Sequence, residues 1–150
     1  MLWNEPNNLS HWDRPQDPEW ALFAEMIRLA GERLACVAPG LPRVLGGISP
    51  IDPDFVRNVF WRGARDAVDV VAVHGFPFDW NRWHVQEWPR RVESVRAASD
   101  GKPIWATEVG ASSIVSERLQ AWTVDATLEQ LTACVERVFW YALMDLPERW

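Results

Sequence analysis

Two glutamates stand where apolar strand-like runs give way to loops: Glu5 in Trp3-Asn4-Glu5-Pro6-Asn7, and Glu108 in Trp105-Ala106-Thr107-Glu108-Val109-Gly110. In proteins built on parallel strands, reactive groups lie at the carboxyl ends of the strands, where the following loops form the pocket. The two residues are 103 positions apart, three strand-to-strand steps of roughly 34 residues each, close to the roughly 30 or more of one βαβ unit. Both side chains are thus able to reach one pocket. A facing pair of carboxyl groups is what retaining glycoside hydrolysis requires. One protonated acid serves the leaving oxygen, and one ionised nucleophile waits on the opposite face about 5 to 5.5 Å away. Their surroundings must push the two pKa values apart. An arbitrary glutamate is most often a solvated surface group, but two at the ends of buried strands, flanked by Trp and small residues, fit that reading less well.

The elements that must position this pair alternate between strand and helix, the pattern of an α/β protein with a parallel sheet. A minimal first strand, Met1 to Trp3, runs directly into the Asn-Glu-Pro turn. A helix capped by Asp17, with Pro18 at its first position, directs Trp20, Phe23, Ile27, Ala30, Leu34 and Val37 to one side and stops at Pro39-Gly40. The second strand is Val44 to Ile48, and its helix begins near Asp52-Pro53 with Phe55, Val56, Val59 and Phe60. The third strand, Val68 to His74, is a β-branched run that reads as buried on both faces. An aromatic loop from Gly75 to Trp83 follows, then a helix started by Pro89 and stopped by Asp100-Gly101. The fourth strand is Pro103 to Val109. A helix over Leu119 to Val138, with Leu128, Leu131, Val135 and Val138 in register, precedes a fifth strand from Phe139 to Met144.

Composition narrows the functional classes. The 150 residues carry 15 basic and 21 acidic side chains, a net charge of −6, which disfavours a phosphate-tracking or anionic-membrane surface. No nucleic-acid or membrane partner is therefore expected. The hydrophobic fraction of 48% describes a globular chain. No run is long and apolar enough to span a membrane, and the N-terminus lacks a signal-peptide layout. The sequence leaves the localisation unknown, reading as cytoplasmic only as given, since no signal-peptide layout is present in it. Cys36 and Cys134 fall in apolar helical patterns and read as small buried hydrophobes. The 11 Trp are far above ordinary usage, and many lie near turns.

An Asn-Glu-Pro at a strand end after an aromatic residue, matched by a second strand-end Glu in Thr107-Glu108-Val109-Gly110, resembles the retaining (β/α)8 glycoside hydrolases of clan A. Within that clan the sequence is most similar to the family 39, β-xylosidase-like type, over all 150 residues. The resemblance implies an α/β fold that is a partial TIM barrel covering the equivalents of strands 4 to 8. Residues 1–150 would form the C-terminal portion of the catalytic barrel, with strands 1 to 3 absent. It implies Glu5 as acid/base, Asn4 as a hydrogen-bond partner of the sugar 2-hydroxyl, and Glu108 as nucleophile. His74 ends the sixth barrel strand, where the family places a histidine followed two residues later by a nucleophile-orienting tyrosine. Here that position is Phe76, which has no hydroxyl. Trp140 matches a tryptophan that forms the sugar platform.

Trp80 and Trp83, in the loop after the third strand, are the next candidates for sugar contact, because an indole offers apolar area with a polar edge. Trp20, Trp61 and Trp122 read as core or rim packing. His11 and His84 lack metal-ligand spacing, so no metal and no cofactor is expected. Ser112 and Ser113 lack a nucleophile elbow, and Gly46-Gly47 allows close chain approach. A complete barrel runs about 250 residues, so a missing N-terminal half is an expected partner, alongside a carbohydrate substrate. Two unpaired strand edges make the 150 residues alone an expected aggregation-prone, inactive product. The functional expectation is a retaining β-glycosidase acting on xyloside- or glucoside-like substrates; the alternative is a non-catalytic carbohydrate-binding or vestigial barrel fragment.

Overall fold

The computed structural model describes residues 1–114 and 116–144. Its elements are α1 (Ala21–Val37), β1 (Val44–Ile48), α2 (Pro53–Val59), β2 (Val70–Gly75), α3 (Trp88–Ala98), β3 (Ile104–Val109), α4 (Glu117–Thr132) and β4 (Arg137–Trp140). A π turn over Phe60–Ala64 and a 3-10 turn over Arg65–Ala67 extend α2, and a 3-10 turn over Val85–Glu87 leads into α3. The four strands form one parallel sheet in the order β1-β2-β3-β4. Neighbouring helices touch in the same succession, α1 with α2, α2 with α3 and α3 with α4, so they form one layer against the sheet. Strands in sequential order with all crossovers on one side have no topological switch point. That is barrel connectivity, not the doubly wound kind.

Burial grades across the sheet. Every residue of β1 and β2 is buried, β3 is mixed, and β4 alternates between exposed and half-buried. The run of Val and Ala in β2 explains its double burial: branched side chains pack against helices on one face and fill the sheet interior on the other. The core gathers Phe23, Ile27, Leu45, Phe55, Val71, Trp88, Val92 and Ile104 around it.

Several boundaries differ from the sequence expectation. Residues 1–3 do not form a strand among the described residues. They run beside β1, where the Leu2 N–H donates to the Val44 carbonyl at 2.8 Å. Asp17 does cap α1, but from outside it. Its carboxylate accepts from the Leu22 and Phe23 N–H groups at 3.2 and 3.0 Å, and Trp20, at φ 61, turns the chain, so Pro18 lies before the helix. Val37 is exposed. The last helix stops at Thr132, and Val138 belongs to β4; a helical period of apolar residues ran on into a strand whose alternation starts in the same register. That strand ends at Trp140, not Met144, and residues 145–150 lie outside the described part. Cys36 is exposed and Cys134 half-buried, and both are free thiols. Cys36 sits on the solvent side of the last turn of α1, so the expected burial fails there. Trp61, expected in the packing, is 80% exposed beneath the Arg62 guanidinium, because it falls on the outward side of the π turn.

Candidate active site

Glu5 is placed by a turn and by aromatic anchors. The Asn8 N–H donates to the Glu5 carbonyl at 3.0 Å, closing a turn over Pro6-Asn7, in which Pro at the second position presets the bend. Asn7 ties this turn to the loop after β1: its side chain donates to the Pro50 carbonyl at 2.7 Å and accepts from the Ser49 N–H at 2.9 Å. Trp3 packs edge-on against Trp12, which packs edge-on against Phe23 of α1. Glu5 itself has φ 44, a left-handed conformation that costs a non-glycine residue on the order of 1 kcal/mol or more and tends to occur at sites. Gly46 admits this segment, since a Cβ there would fall 1.7 Å from the Trp3 carbonyl oxygen.

His74 and Glu108 are brought face to face by a slip in strand register. Along β2 and β3, Val73 pairs with Ala106, but the next pair is His74 with Glu108. Thr107 is the extra residue, in the manner of a β-bulge that sets two residues against one. In a regular strand Thr107 and Glu108 would point to opposite faces. Here both reach His74. Its Nε2 lies 3.0 Å from Thr107 Oγ1, and its Nδ1 lies 2.9 Å from Glu5 Oε1 and 3.6 Å from Glu108 Oε2. The imidazole is buried, and Gly47 backs it so closely that a Cβ there would fall 2.3 Å from the ring. One imidazole nitrogen and one oxygen from each carboxylate all lie within 4.8 Å of one another.

The two carboxyl groups have different surroundings. Burial raises the pKa of Glu5, but hydrogen bonds from His74 and from Asn8 Nδ2 at 3.1 Å outweigh it and hold the carboxyl below its usual value. Burial also raises Glu108, aided by the Glu5 charge and opposed by His74, and it stays above its usual value. The expected separation of the two pKa values is present. Its direction is the reverse of a proton-holding Glu5 and an ionised Glu108.

The remaining candidates are more dispersed. Asn4 is half-buried, and its Oδ1 is buried with no hydrogen-bond partner among the described residues. Phe76 packs edge-on against Tyr141, which follows β4, and its N–H donates to Asn81 Oδ1 at 2.7 Å. Trp80 is exposed. Trp83 packs edge-on against buried Trp88 with the Arg91 guanidinium over it. Trp140 is half-buried against the core. Trp20 is buried, whereas Trp122 is exposed and leans on Phe78. Asp79 accepts from the Ser112 N–H and Oγ at 2.6 and 3.0 Å, joining the loops after β2 and β3. A depression beside this loop is lined by Phe78, Asp79, Asn81, Arg82, Trp83 and His84 and contains neither glutamate. Asn8 and Thr107 were not singled out from the sequence, whereas Gly47 was, in the Gly46-Gly47 pair read as allowing close chain approach. Nothing local marked Asn8 or Thr107.

No protein-family model and no curated protein matches the sequence. Among solved structures, the chain is similar to a family 2 β-galacturonidase from Eisenbergiella tayi, with 17% identity and a TM-score of 0.63 over 79% of this chain and 22% of that one. It is also similar to a glycoside hydrolase family 17 β-1,3-glucanosyltransferase from Rhizomucor miehei, with 15% identity and a TM-score of 0.66 over 100% of this chain and 55% of that one. The chain thus spans only about a fifth to about half of these proteins. At such identities the likeness is one of fold: the chain has the α/β architecture of part of a glycoside hydrolase barrel.

Proposed function

We propose that this chain carries the two carboxyl groups of a retaining β-glycosidase of the clan A, family 39-like type, acting on xyloside- or glucoside-like substrates. The observation that supports it most is the approach of Glu5 and Glu108, whose nearest oxygens lie within 4.8 Å. That is near the about 5 to 5.5 Å of retaining enzymes and short of the roughly 6.5 Å or more needed to hold a water between the groups. In this reading Glu108 attacks the anomeric carbon as the glycosidic bond breaks, and Glu5 gives its proton to the leaving oxygen. Glu5 then takes a proton from water, which attacks the glycosyl ester and releases Glu108. Asn4 Oδ1, a buried acceptor lacking a donor among the described residues, is suited to a sugar hydroxyl. Trp140, Trp80 and Trp83 supply apolar faces for the sugar. In this reading the chain is the C-terminal portion of a barrel, with β1 to β4 as its last four strands and residues 1–3 beside β1 at the place of the strand before them.

A second order of roles is favoured by one observation. Glu5 accepts hydrogen bonds from both His74 and Asn8, which suits an ionised nucleophile, while the raised Glu108 suits the acid. Kinetics on aryl β-glycosides with Glu5→Ala and Glu108→Ala distinguish the two orders, using the chain and its product extended upstream of Met1. The acid variant keeps activity on good leaving groups, because proton donation matters least there; the nucleophile variant loses all substrates. If neither substitution changes turnover, the proposal fails.

A further inference from the structure

We propose that the depression beside the loop after β2 binds the carboxylate-bearing ring of an acidic sugar, a uronate, belonging to the same carbohydrate that meets Glu5 and Glu108. The choice of a sugar rests on the glycosidase reading; the choice of an acidic one rests on the depression itself. Phe78, Asp79, Asn81, Arg82, Trp83 and His84 line a space of about 270 Å³, close to the roughly 300 Å³ at which small-ligand sites begin. That is room for a single ring.

The hydrogen-bonding capacity left in the depression is one-sided. Asn81 accepts from the Phe76 N–H through its side-chain oxygen at 2.7 Å, and among the described residues its NH2 group has no acceptor. Arg82 is exposed and has no ion pair among them. The two acids nearest to it in sequence are both engaged elsewhere: Asp79 with Ser112 at 2.6 and 3.0 Å, and Glu87 with Arg90 and Arg91. The His84 ring accepts from the Glu87 N–H, so the neutral ring carries its proton on the other nitrogen, which is a donor. Three donors, one of them a full positive charge, thus stand without a matching acceptor. A neutral sugar donates as well as accepts and matches only part of this set. A carboxylate only accepts, and a guanidinium pairs with it through two parallel bonds. Phe78, 40% exposed, and Trp83 supply apolar surface for the ring.

The loop is tied into this shape. The Asp79 and Asn81 N–H groups both donate to the Phe76 carbonyl, at 3.2 and 3.1 Å, and Phe78 takes a left-handed conformation at φ 74, of the kind that tends to occur at ligand sites. The loop begins just after His74, and the bond from Asp79 to Ser112 joins it to the loop after Glu108. Depression and glutamates therefore belong to the same carboxyl-end rim of the sheet, and a substrate of more than one sugar unit is what would occupy both.

Titration of the full chain with methyl α-glucuronoside, followed by calorimetry and tryptophan fluorescence, tests the proposal; its α bond is not one that a β-glycosidase cleaves. One saturable site is expected. Methyl α-glucoside, the same ring without the charge, should bind about tenfold more weakly, the difference between charge-assisted and neutral hydrogen bonds. Arg82→Gln should bring the glucuronoside down to the level of the glucoside, with Arg82→Lys recovering part of the loss, and sodium acetate at equal concentration should not compete. Because Arg82 is exposed and unpaired, both variants should melt with the wild type. Four outcomes each overturn the proposal: no saturable binding of the glucuronoside, equal affinity for the glucoside, competition by acetate, or wild-type affinity in Arg82→Gln. No bond is cleaved in the measurement, so failure here leaves the two-glutamate reading standing, and inactivity on aryl β-glycosides leaves a measured uronate site standing.

Discussion

The two carboxylates stand on unlike ground. Glu5 lies in a turn with φ 44, held by Asn8 and His74 and anchored through Trp3 and Asn7 to the loops around it. Glu108 lies within β3, positioned by sheet pairing and a register slip, with His74 Nδ1 no nearer than 3.6 Å. Glu5 is therefore defined by side-chain hydrogen bonds and Glu108 by backbone. The first arrangement favours the ionised carboxylate, and the second leaves burial free to favour the neutral acid. One histidine, nearer to one oxygen than to the other, is enough to separate two groups of the same chemical type.

The contrast is broken most severely by removing each carboxyl in turn. On substrates with poor leaving groups, loss of the acid is expected to slow turnover about 10²- to 10⁴-fold, and loss of the nucleophile to abolish it, as read by steady-state kinetics on a leaving-group series. Full activity on good leaving groups in Glu108→Ala, with none in Glu5→Ala, reverses the roles implied by resemblance.

Gly46→Ala acts on one side of the comparison only. Its Cβ would fall 1.7 Å from the Trp3 carbonyl oxygen, so the segment carrying Glu5 must move away from β1 while β3 stays in place. A loss of about 1–3 kcal/mol is expected, as for other overpacked sites, measured by denaturant unfolding. Amide exchange should rise at Leu2, whose bond to Val44 holds that segment, and not in β3.

Smaller effects, opposite in sign to each other, are expected from the two Glu→Gln changes. Glu5 has a lowered pKa in the folded chain, so its contribution to stability is present above its unfolded pKa and is lost as pH falls through the folded value. Glu5→Gln should cost about 1–2 kcal/mol at pH 7, the scale of hydrogen bonds to a charged group, and should flatten the fall of melting temperature in acid. Glu108 has a raised pKa, so its contribution is present below its unfolded pKa and is lost as pH rises through the folded value. Glu108→Gln should be neutral or stabilising by about 1 kcal/mol or less at pH 7. Melting curves of both variants across pH 3 to pH 8 check the pair, and equal slopes would remove the electrostatic contrast.

Much of the frame was legible because it repeats with a period. The β-branched run at Val70 to Val73, the Asp52-Pro53 start and the Asp100-Gly101 stop act locally, and β1, α2, β2, α3 and β3 appear close to where these signals place them. The misreadings came from features with local ambiguity. Val135 and Val138 continue a helical spacing past Thr132, although the chain has already turned toward β4. Asp17 looks like a residue adjacent to its helix, yet its carboxylate reaches the Leu22 and Phe23 amides across five and six residues. Trp61 belongs to an apolar pattern that the π turn rotates outward.

By itself, the sequence determined that strands and helices alternate, that Glu108 stands near the carboxyl end of a strand and that Glu5 stands in an Asn-Glu-Pro turn, since periodicity and turn chemistry are local properties. Only the tertiary structure decided what those carboxylates meet. The bond from His74 to Glu5 spans 69 residues and that from His74 to Thr107 spans 33, and no sequence period records either. The strand alternation even argued against the second, because it sends Thr107 and Glu108 to opposite faces. A single slip between Val73 and His74 overrides it, and through that slip one imidazole joins both glutamates to a threonine.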